Sequence, residues 1–348
     1  MNSGKYLIVG QGLAGTCLAT FLEKLGADFL IIDSLSKPKA SHTAAGLWNP
    51  IVLRRFLKAW LADETLAFSV PFYKEEAKAL HANFVHELAM FKIFSNQNEA
   101  QECQNRIAQQ GLNHLAEVVN QADINLGVKQ PYGCLKVHKT GYLEVANYLN
   151  LKRNQWLDSG RLQEKDFNYQ DITFKNSSVY YQEENYKAII FCEGIGASQN
   201  PFVKLPFKNT KGEVLKVSLP FELHDIVSKN VFVLPLYNGQ YKIGATYDWN
   251  NLDEIPTENG KQELLSKLDL ILPEIKVQIH EHSAGIRPTM PDRRPICGTI
   301  KTYPGLYIFN GLGSRGVLLA PYLAHRLALC LCQGVYEIPE ECAISRFS

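Results

Sequence analysis

The chain opens with a short apolar run, "KYLIVG" at 5–10, a glycine-rich stretch, "GQGLAG" at 10–15, a helix-spaced stretch, "TCLATFLEKLG" at 16–26, and a second apolar run, "DFLIID" at 28–33. Continuous apolar runs of this length, bounded by turn residues, read as strands buried on both faces. With the helix between them they make one strand–helix–strand unit. Further on, "KAWLADETLAFSVPFYKEEAKAL" at 58–80 has helical spacing, and Pro71 is expected to break or kink it. From there to about residue 135 the signals are mixed. "TGYLEVANYLNLKRN" at 140–154 predicts a turn followed by a helix, and "YKAIIFCEGIGAS" at 186–198 a buried strand running into a glycine-rich turn. Segments 213–219, 231–237 and 240–247 alternate or run apolar, and Asn238-Gly239 between the last two predicts a hairpin.

Strand-rich sequence thus sits between α/β pieces. The expected class is α/β (α+β overall): a discontinuous Rossmann-like dinucleotide domain from 1–85, 140–205 and 283–348, with a mainly antiparallel-sheet domain from 86–139 and 206–282 inserted into it. The spacing Gly10, Gly12, Gly15, with Leu13 and Ala14 inside it, lies between a strand and a helix. One glycine permits the tight turn, the next lets the backbone approach a pyrophosphate, and the third lets helix pack on strand. The helix N-terminus offers free N–H groups and the positive end of its dipole. Asp33 ends the second strand, placed to accept from ribose hydroxyls and, by its charge, to disfavour a 2′-phosphate. This spacing predicts dinucleotide binding without choosing between FAD and NAD.

Composition narrows the picture only a little. Thirty-six Lys and Arg against thirty-five Asp and Glu leave a net charge of +1, so there is no general pull toward nucleic acid or anionic lipid. The start has no long apolar h-region, so no signal peptide is expected, and the most apolar stretch, "GVLLAPYLAHRLALCLCQG", reads as a core helix rather than a membrane span. The eight cysteines show no metal-ligand or redox spacing. Buried thiols in a reducing cytoplasm are the expectation. His280 and His282 flank Glu281 on a strand, which is too few ligands for zinc, so no metal is expected.

Two further stretches are unusual. "SHTAAGLWNP" at 41–50 is built of small residues around Gly46, suited to close backbone approach by a ligand, and "FNGLGSRGVLLAPYLAHRLA" at 309–328 sets glycines around Ser314 and Arg315 before a helix begins. With "IVGQGLAG", "IID", "AIIFCEGIGAS", "YKIGATYDW" and "AGIRPTMPDRRPICG", in this order over most of the chain, the sequence resembles the FAD-dependent D-amino-acid oxidase and glycine oxidase superfamily.

The resemblance implies non-covalent FAD and oxidation of an amine by hydride transfer to the flavin. It places Gly10, Gly12, Leu13, Ala14 and Gly15 at the pyrophosphate, Asp33 at the ribose where relatives usually carry Glu, and Ser41, Ala45, Gly46 and Gly194 beside the cofactor. Gly313, Ser314, Arg315 and Gly316 match the loop near the pyrimidine end of the isoalloxazine. Arg287 matches the arginine that pairs with a substrate carboxylate, its planar fork suiting bidentate binding. The alternative is a structural Arg287, paired with Asp292 or capping carbonyls. Phe232 stands where relatives carry a carboxylate-binding tyrosine; Tyr247 either supplies that hydroxyl or, with Trp249, is ordinary strand packing. Arg293 and Arg294 read as solvated or structural. His42 falls one residue out of register with the flavin-tethering histidine of certain relatives, and Gly285 lies near the place of another family's tethering cysteine.

The leading expectation is oxidation of a small amino acid or N-substituted glycine to an imine that hydrolyses, with oxygen or another species as electron acceptor. One alternative is a tRNA wobble-uridine-modifying flavoenzyme, because "AAGLWNP" and "GLGSRG" also resemble the flavin domain of the bifunctional modification enzyme. Balanced charge speaks against nucleic acid, although Arg54, Arg55 and Lys58, expected on a solvated helix face, offer a local patch. A non-catalytic flavin-binding subunit is another alternative. An NAD-linked dehydrogenase would leave the loops around Gly46 and Gly313 unexplained.

Overall fold

The apolar runs at the start of the chain become the centre of a parallel sheet. A computed structural model describes residues 4–34, 39–123, 126–176 and 178–347. These divide into two units: 1–42, 145–210 and 286–348 in the first, 43–144 and 211–285 in the second.

In the first unit, Lys5–Val9 pairs in parallel with Phe29–Asp33 on one side and Glu184–Phe191 on the other. Leu162–Glu164 adds in parallel beyond Phe29–Asp33, and Leu306–Asn310 beyond Glu184–Phe191. All three chain segments of the unit therefore contribute to one sheet. An antiparallel hairpin, Ile172–Lys175 with Ser178–Tyr181, extends the other end of Glu184–Phe191, and Ile296–Thr299 runs antiparallel to Leu306–Asn310. Leu7, Val9, Leu30, Ile32, Ile189, Phe191 and Ile308 line one core face. Their continuous apolar runs reflect burial on both sides, as parallel sheets require.

Helix Leu13–Lys24 packs against Gly316–Gln333. By length and composition the latter passes the test for a membrane-crossing helix, yet it contributes ten buried residues to this unit, as a core helix does. The thiols of Cys192 and Cys297 are fully buried, and burial pushes both well above their ordinary pKa, which leaves them neutral and unreactive.

The second unit is built on an eight-stranded sheet ordered Gln278–Arg287, Thr210–Ser218, Tyr241–Gly244, Val231–Pro235, Ile226–Lys229, Met90–Ile93, Cys134–Val137, Ala116–Val119. Asn238-Gly239 makes the turn between Val231–Pro235 and Tyr241–Gly244, which pair antiparallel. One parallel pair, Ile226–Ser228 with Met90–Lys92, interrupts the antiparallel pattern. Alternate residues feed two cores, one around Phe94, Tyr142 and Leu234, the other around Val233, Ile243 and Leu264.

Three details differ from the sequence reading. Residues 43–85 and 140–144 belong to the second unit, because Leu47–Trp48 pairs with Gly141–Leu143 and because Ile51 and Phe56 are buried in that unit's core, while 283–285 also fall in the second unit and 206–210 in the first. Helix Ala62–Ala79 runs through Pro71 without ending, giving up one backbone N–H donor. Arg54 and Arg55 sit at the tip of a small hairpin, Ile51–Val52 with Leu57–Lys58, rather than on a helix. Lys58 is ion-paired with Asp63.

Candidate functional site

The turn after Lys5–Val9 is shaped by steric exclusion. A Cβ on Gly15 would stand 2.0 Å from the carbonyl oxygen of Gly10, so helix Leu13–Lys24 approaches the strand only because that atom is missing. Gly12 caps this helix without any side-chain hydrogen bond. A Cβ there would meet only Ser41 Oγ, at 3.6 Å, so the space over the cap is an open cradle next to free N–H groups. Ser41 accepts the Leu13 N–H at 3.3 Å, which brings the segment after the second strand to the helix start. Leu13 and Ala14 are buried in the first turn of the helix.

Asp33 is 6% exposed and heavily engaged. Its Oδ1 accepts the Gln11 backbone N–H at 2.8 Å, while Oδ2 accepts from Lys39 Nζ and from Arg153 Nη1, both at 2.6 Å. Burial and the neighbouring Lys39 lower the pKa of His42.

Arg287 ends strand Gln278–Arg287, and the next residues bond to the second glycine loop. Pro288 accepts the Gly313 N–H at 3.0 Å, and Thr289 makes an antiparallel bridge with Leu312. Arg287 and Gly313–Gly316 are therefore one hydrogen-bonded assembly within the first unit. Arg315 caps helix Gly316–Gln333 without a side-chain cap hydrogen bond, so the positive end of the helix dipole opens at this loop, and Ser314 is exposed. The turn following Arg287 is clasped from the side: Asp292 accepts from Arg346 Nε at 2.7 Å and from the Arg294 N–H at 3.0 Å. Arg346 Nη2 also donates to the Arg294 carbonyl at 2.8 Å. Asp292, weighed above as a partner for Arg287, is thus taken up by Arg346, whose hydrogen bond holds its carboxyl below the ordinary pKa against the opposing effect of burial.

Gly194 opens the turn after Glu184–Phe191, and Asn310 ties it to the second glycine loop. The Asn310 amide donates to the Gly194 carbonyl at 2.9 Å and accepts the Gly311 N–H at 2.7 Å.

The remaining expected residues lie in the second unit. Ala45 packs against its core. A Cβ on Gly46 would fall 1.9 Å from the Leu143 carbonyl, so the close approach expected there is made by the chain's own strand. Lys242 Nζ donates to the Ala44 carbonyl at 3.2 Å, and burial lowers its pKa. Phe232 lies over Gly244, within 2.7 Å of where a Cβ would be. Tyr247 and Trp249 are not strand packing: they are 56% and 60% exposed and stack on each other at 6.1 Å, beyond the end of strand Tyr241–Gly244. His280 is hydrogen-bonded to Ser218, His282 Nε2 stands 2.8 Å from Glu213 Oε2, and no metal-binding group of three occurs among the described residues.

The model of the FAD dependent oxidoreductase family DAO matches residues 5–329. The chain belongs to this family. The chain is therefore an FAD-dependent oxidoreductase with its FAD held non-covalently, which sets aside the NAD-linked and non-catalytic alternatives. It is 24% identical, over 94% of its length, to the tRNA 5-methylaminomethyl-2-thiouridine biosynthesis bifunctional protein MnmC of Marinobacter nauticus, and covers 55% of that protein. It thus spans about half the length of the MnmC relatives it matches. Glycine oxidase of Pseudomonas aeruginosa is 29% identical over 36% of this chain and 35% of its own length. Among solved structures, glycine oxidase from Geobacillus kaustophilus superposes with a TM-score of 0.85 at 18% identity, covering 99% of this chain and 98% of its own. Iminodiacetate oxidase from Chelativorans sp. gives 0.81 at 20%, with 99% and 98% covered. These likenesses show a shared fold.

The DAO cofactor fits the first unit: an open cradle over Gly12 beside free helix N–H groups suits a pyrophosphate. Sequence reading missed Arg153 and Asn310. Arg153 carried a signal, since with Val145, Tyr148, Leu149, Lys152 and Trp156 it occupies the buried stripe of helix Val145–Asp158, where a charge needs a reason.

Proposed function

We propose that the protein oxidises a small amino acid or an N-substituted glycine at the carbon bearing the amine, with Arg287 holding the substrate carboxylate. The supporting observation is the hydrogen-bonded assembly of the Arg287 segment with loop Gly313–Gly316. When bound, FAD accepts the hydride and stores the reducing equivalents.

In this reading Gly10, Gly12, Leu13, Ala14 and Gly15 receive the pyrophosphate, Asp33 the ribose, and Ser41 and Gly194 border the cofactor. Gly313, Ser314, Arg315 and Gly316 form the loop at the pyrimidine end, where the Ser314 and Gly316 N–H groups and the helix dipole stabilise negative charge. Arg287 fixes the carboxylate by a planar, charge-assisted fork, which orients the neighbouring amine-bearing carbon. Tyr247 supplies the hydroxyl that Phe232 lacks. A neutral amine needs no strong protein base, and the imine product hydrolyses in water. The antiparallel-sheet part of the chain serves the substrate, and the reaction belongs to the cytoplasm, where thiols stay reduced.

The test is anaerobic bleaching of the flavin against D-amino acids, glycine, sarcosine, proline and related imino acids. One of them reduces the flavin, and Arg287→Ala loses that reduction while keeping its flavin. Equal reduction rates in Arg287→Ala and wild type on every substrate would overturn the carboxylate role.

A second reading, oxidation of a carboxymethylaminomethyl group on tRNA, is favoured by the MnmC likeness over 94% of the chain and by the exposed Tyr247–Trp249 stack, a surface on which a base could lie. It requires tRNA binding at low salt that weakens as salt rises. Absence of binding removes it.

A further inference from the structure

Arg153 belongs to none of the motifs, yet it joins the two ends of the dinucleotide fingerprint. It comes from helix Val145–Asp158 and is 8% exposed. Its Nη1 donates to Asp33 Oδ2 at 2.6 Å and to Gln11 Oε1 at 2.9 Å, and its Nε donates to Glu164 at 2.9 Å. Gln11 is the residue between the first two glycines, and its own amide donates to Thr16 at 3.2 Å and to the Leu149 carbonyl at 2.9 Å. One guanidinium therefore fixes both the carboxylate at the end of the second strand and the side chain within the glycine turn.

The consequence for Asp33 is specific. A carboxylate has about four acceptor sites. Here Oδ2 takes two cationic donors and Oδ1 takes the Gln11 N–H. The direction of the carboxylate is fixed, and what acceptor capacity remains lies chiefly on Oδ1. Asp is one methylene shorter than the Glu usual in relatives, so its reach depends on how it is aimed.

We propose that Arg153 is a positioning residue for the adenosine half of the cofactor, acting through Asp33 and Gln11, with Lys39 as the second cation on Oδ2. The proposal rests on the ribose reading of Asp33. It separates the adenosine half from the flavin half: Arg153 matters to any ligand carrying the adenosine ribose and not to FMN, which lacks it. Removing one partner of a buried pair is costly, but Lys39 stays on Asp33 Oδ2 in Arg153→Met, so the variant is expected to fold with a lowered melting temperature.

The experiment follows FAD release from diluted holoenzyme by flavin fluorescence, and ADP and FMN binding to the stripped full-length chain, with circular dichroism reporting the fold. Arg153→Met is expected to weaken FAD and ADP about tenfold, as loss of a charged hydrogen bond does, with FMN unchanged. Arg153→Lys recovers part of the loss, and Asp33→Asn with Arg153→Met is no worse than the stronger single variant. Should Arg153→Met not fold, Lys39→Met carries the same prediction at a smaller size. Unchanged ADP binding in a folded Arg153→Met overturns the proposal while Asp33→Asn still loses ADP. If Asp33→Asn also keeps ADP, the ribose reading falls with it. Equal loss of ADP and FMN would mark a general disturbance of the unit and overturn the positioning role.

Discussion

The first unit carries two glycine loops that each open a helix, and they are held by different means. The turn Gly10–Gly15 is set by exclusion: the backbone leaves no room for a side chain at Gly15, and buried polar groups brace it from below. The second loop, beyond Gly311 where a Cβ would stand 2.9 Å from Met290 Cγ, is set by attachment. A Cβ on Gly313 or Gly316 would meet nothing nearer than 3.4 Å, and the loop takes its position from Asn310, Pro288, Thr289 and Leu312. A site fixed by exclusion fails when an atom is added. One fixed by attachment fails when a distant anchor is removed.

The contrast can be broken at several points. Gly15→Ala places an atom 2.0 Å from a backbone oxygen, and the expected result is the largest of all: purified protein without flavin and with a much lowered melting temperature. Arg287→Ala is expected to keep its flavin and its melting temperature but to lose about a hundredfold or more in the rate of flavin reduction by carboxylate substrates, read by anaerobic stopped flow. Arg287→Lys recovers only part, because the planar fork is lost.

Arg346→Ala sharpens the comparison, since Arg346 holds the Asp292–Arg294 turn that follows the Pro288–Thr289 anchor of the attached loop and bonds to nothing in Gly10–Gly15. With the Asp292 carboxylate partly exposed, the clasp is worth about 1 kcal/mol or less. The expected effect is a small fall in melting temperature together with a raised KM, while FAD affinity at the adenosine end is unchanged. Its pH dependence has a definite sign. The folded pKa of Asp292 lies below the ordinary carboxylate value, so the clasp contributes fully above about pH 4 and is lost as pH falls through the depressed value. Melting curves of wild type and Arg346→Ala are expected to differ at neutral pH and to converge in acid. Tyr247→Phe is expected to give the smallest change, a few-fold rise in KM with the flavin spectrum unaltered. No change in KM would end the proposed role of its hydroxyl.

The same contrast explains what was legible in the sequence. Exclusion leaves a local mark: Gly10, Gly12, Gly15 and Asp33 stand close together, and their physical roles can be written down from spacing alone. The apolar runs that build the parallel sheet are legible for the same reason, because burial on both faces removes polar residues from them. Attachment is long-range. Asp292 to Arg346, Asn310 to Gly194 and Arg153 to Asp33 join residues far apart in the chain, and no periodicity reports who meets whom. The extent of the second unit was hidden likewise, since residues 43–85 declare their partners only through two-residue strands and a few buried apolar side chains.

Strand Glu184–Phe191 has a consequence for how the protein is made. Its outer neighbour, Leu306–Asn310, is synthesised only after residues 211–285 of the other unit. Until then a fully apolar strand end, Ile189–Phe191, has an unpaired hydrogen-bonding edge, the kind of surface that recruits other chains. On the ribosome, solubility of this protein therefore depends on timing: slowing translation across 211–285 should raise the aggregated fraction, and a chaperone that shields strand edges should lower it.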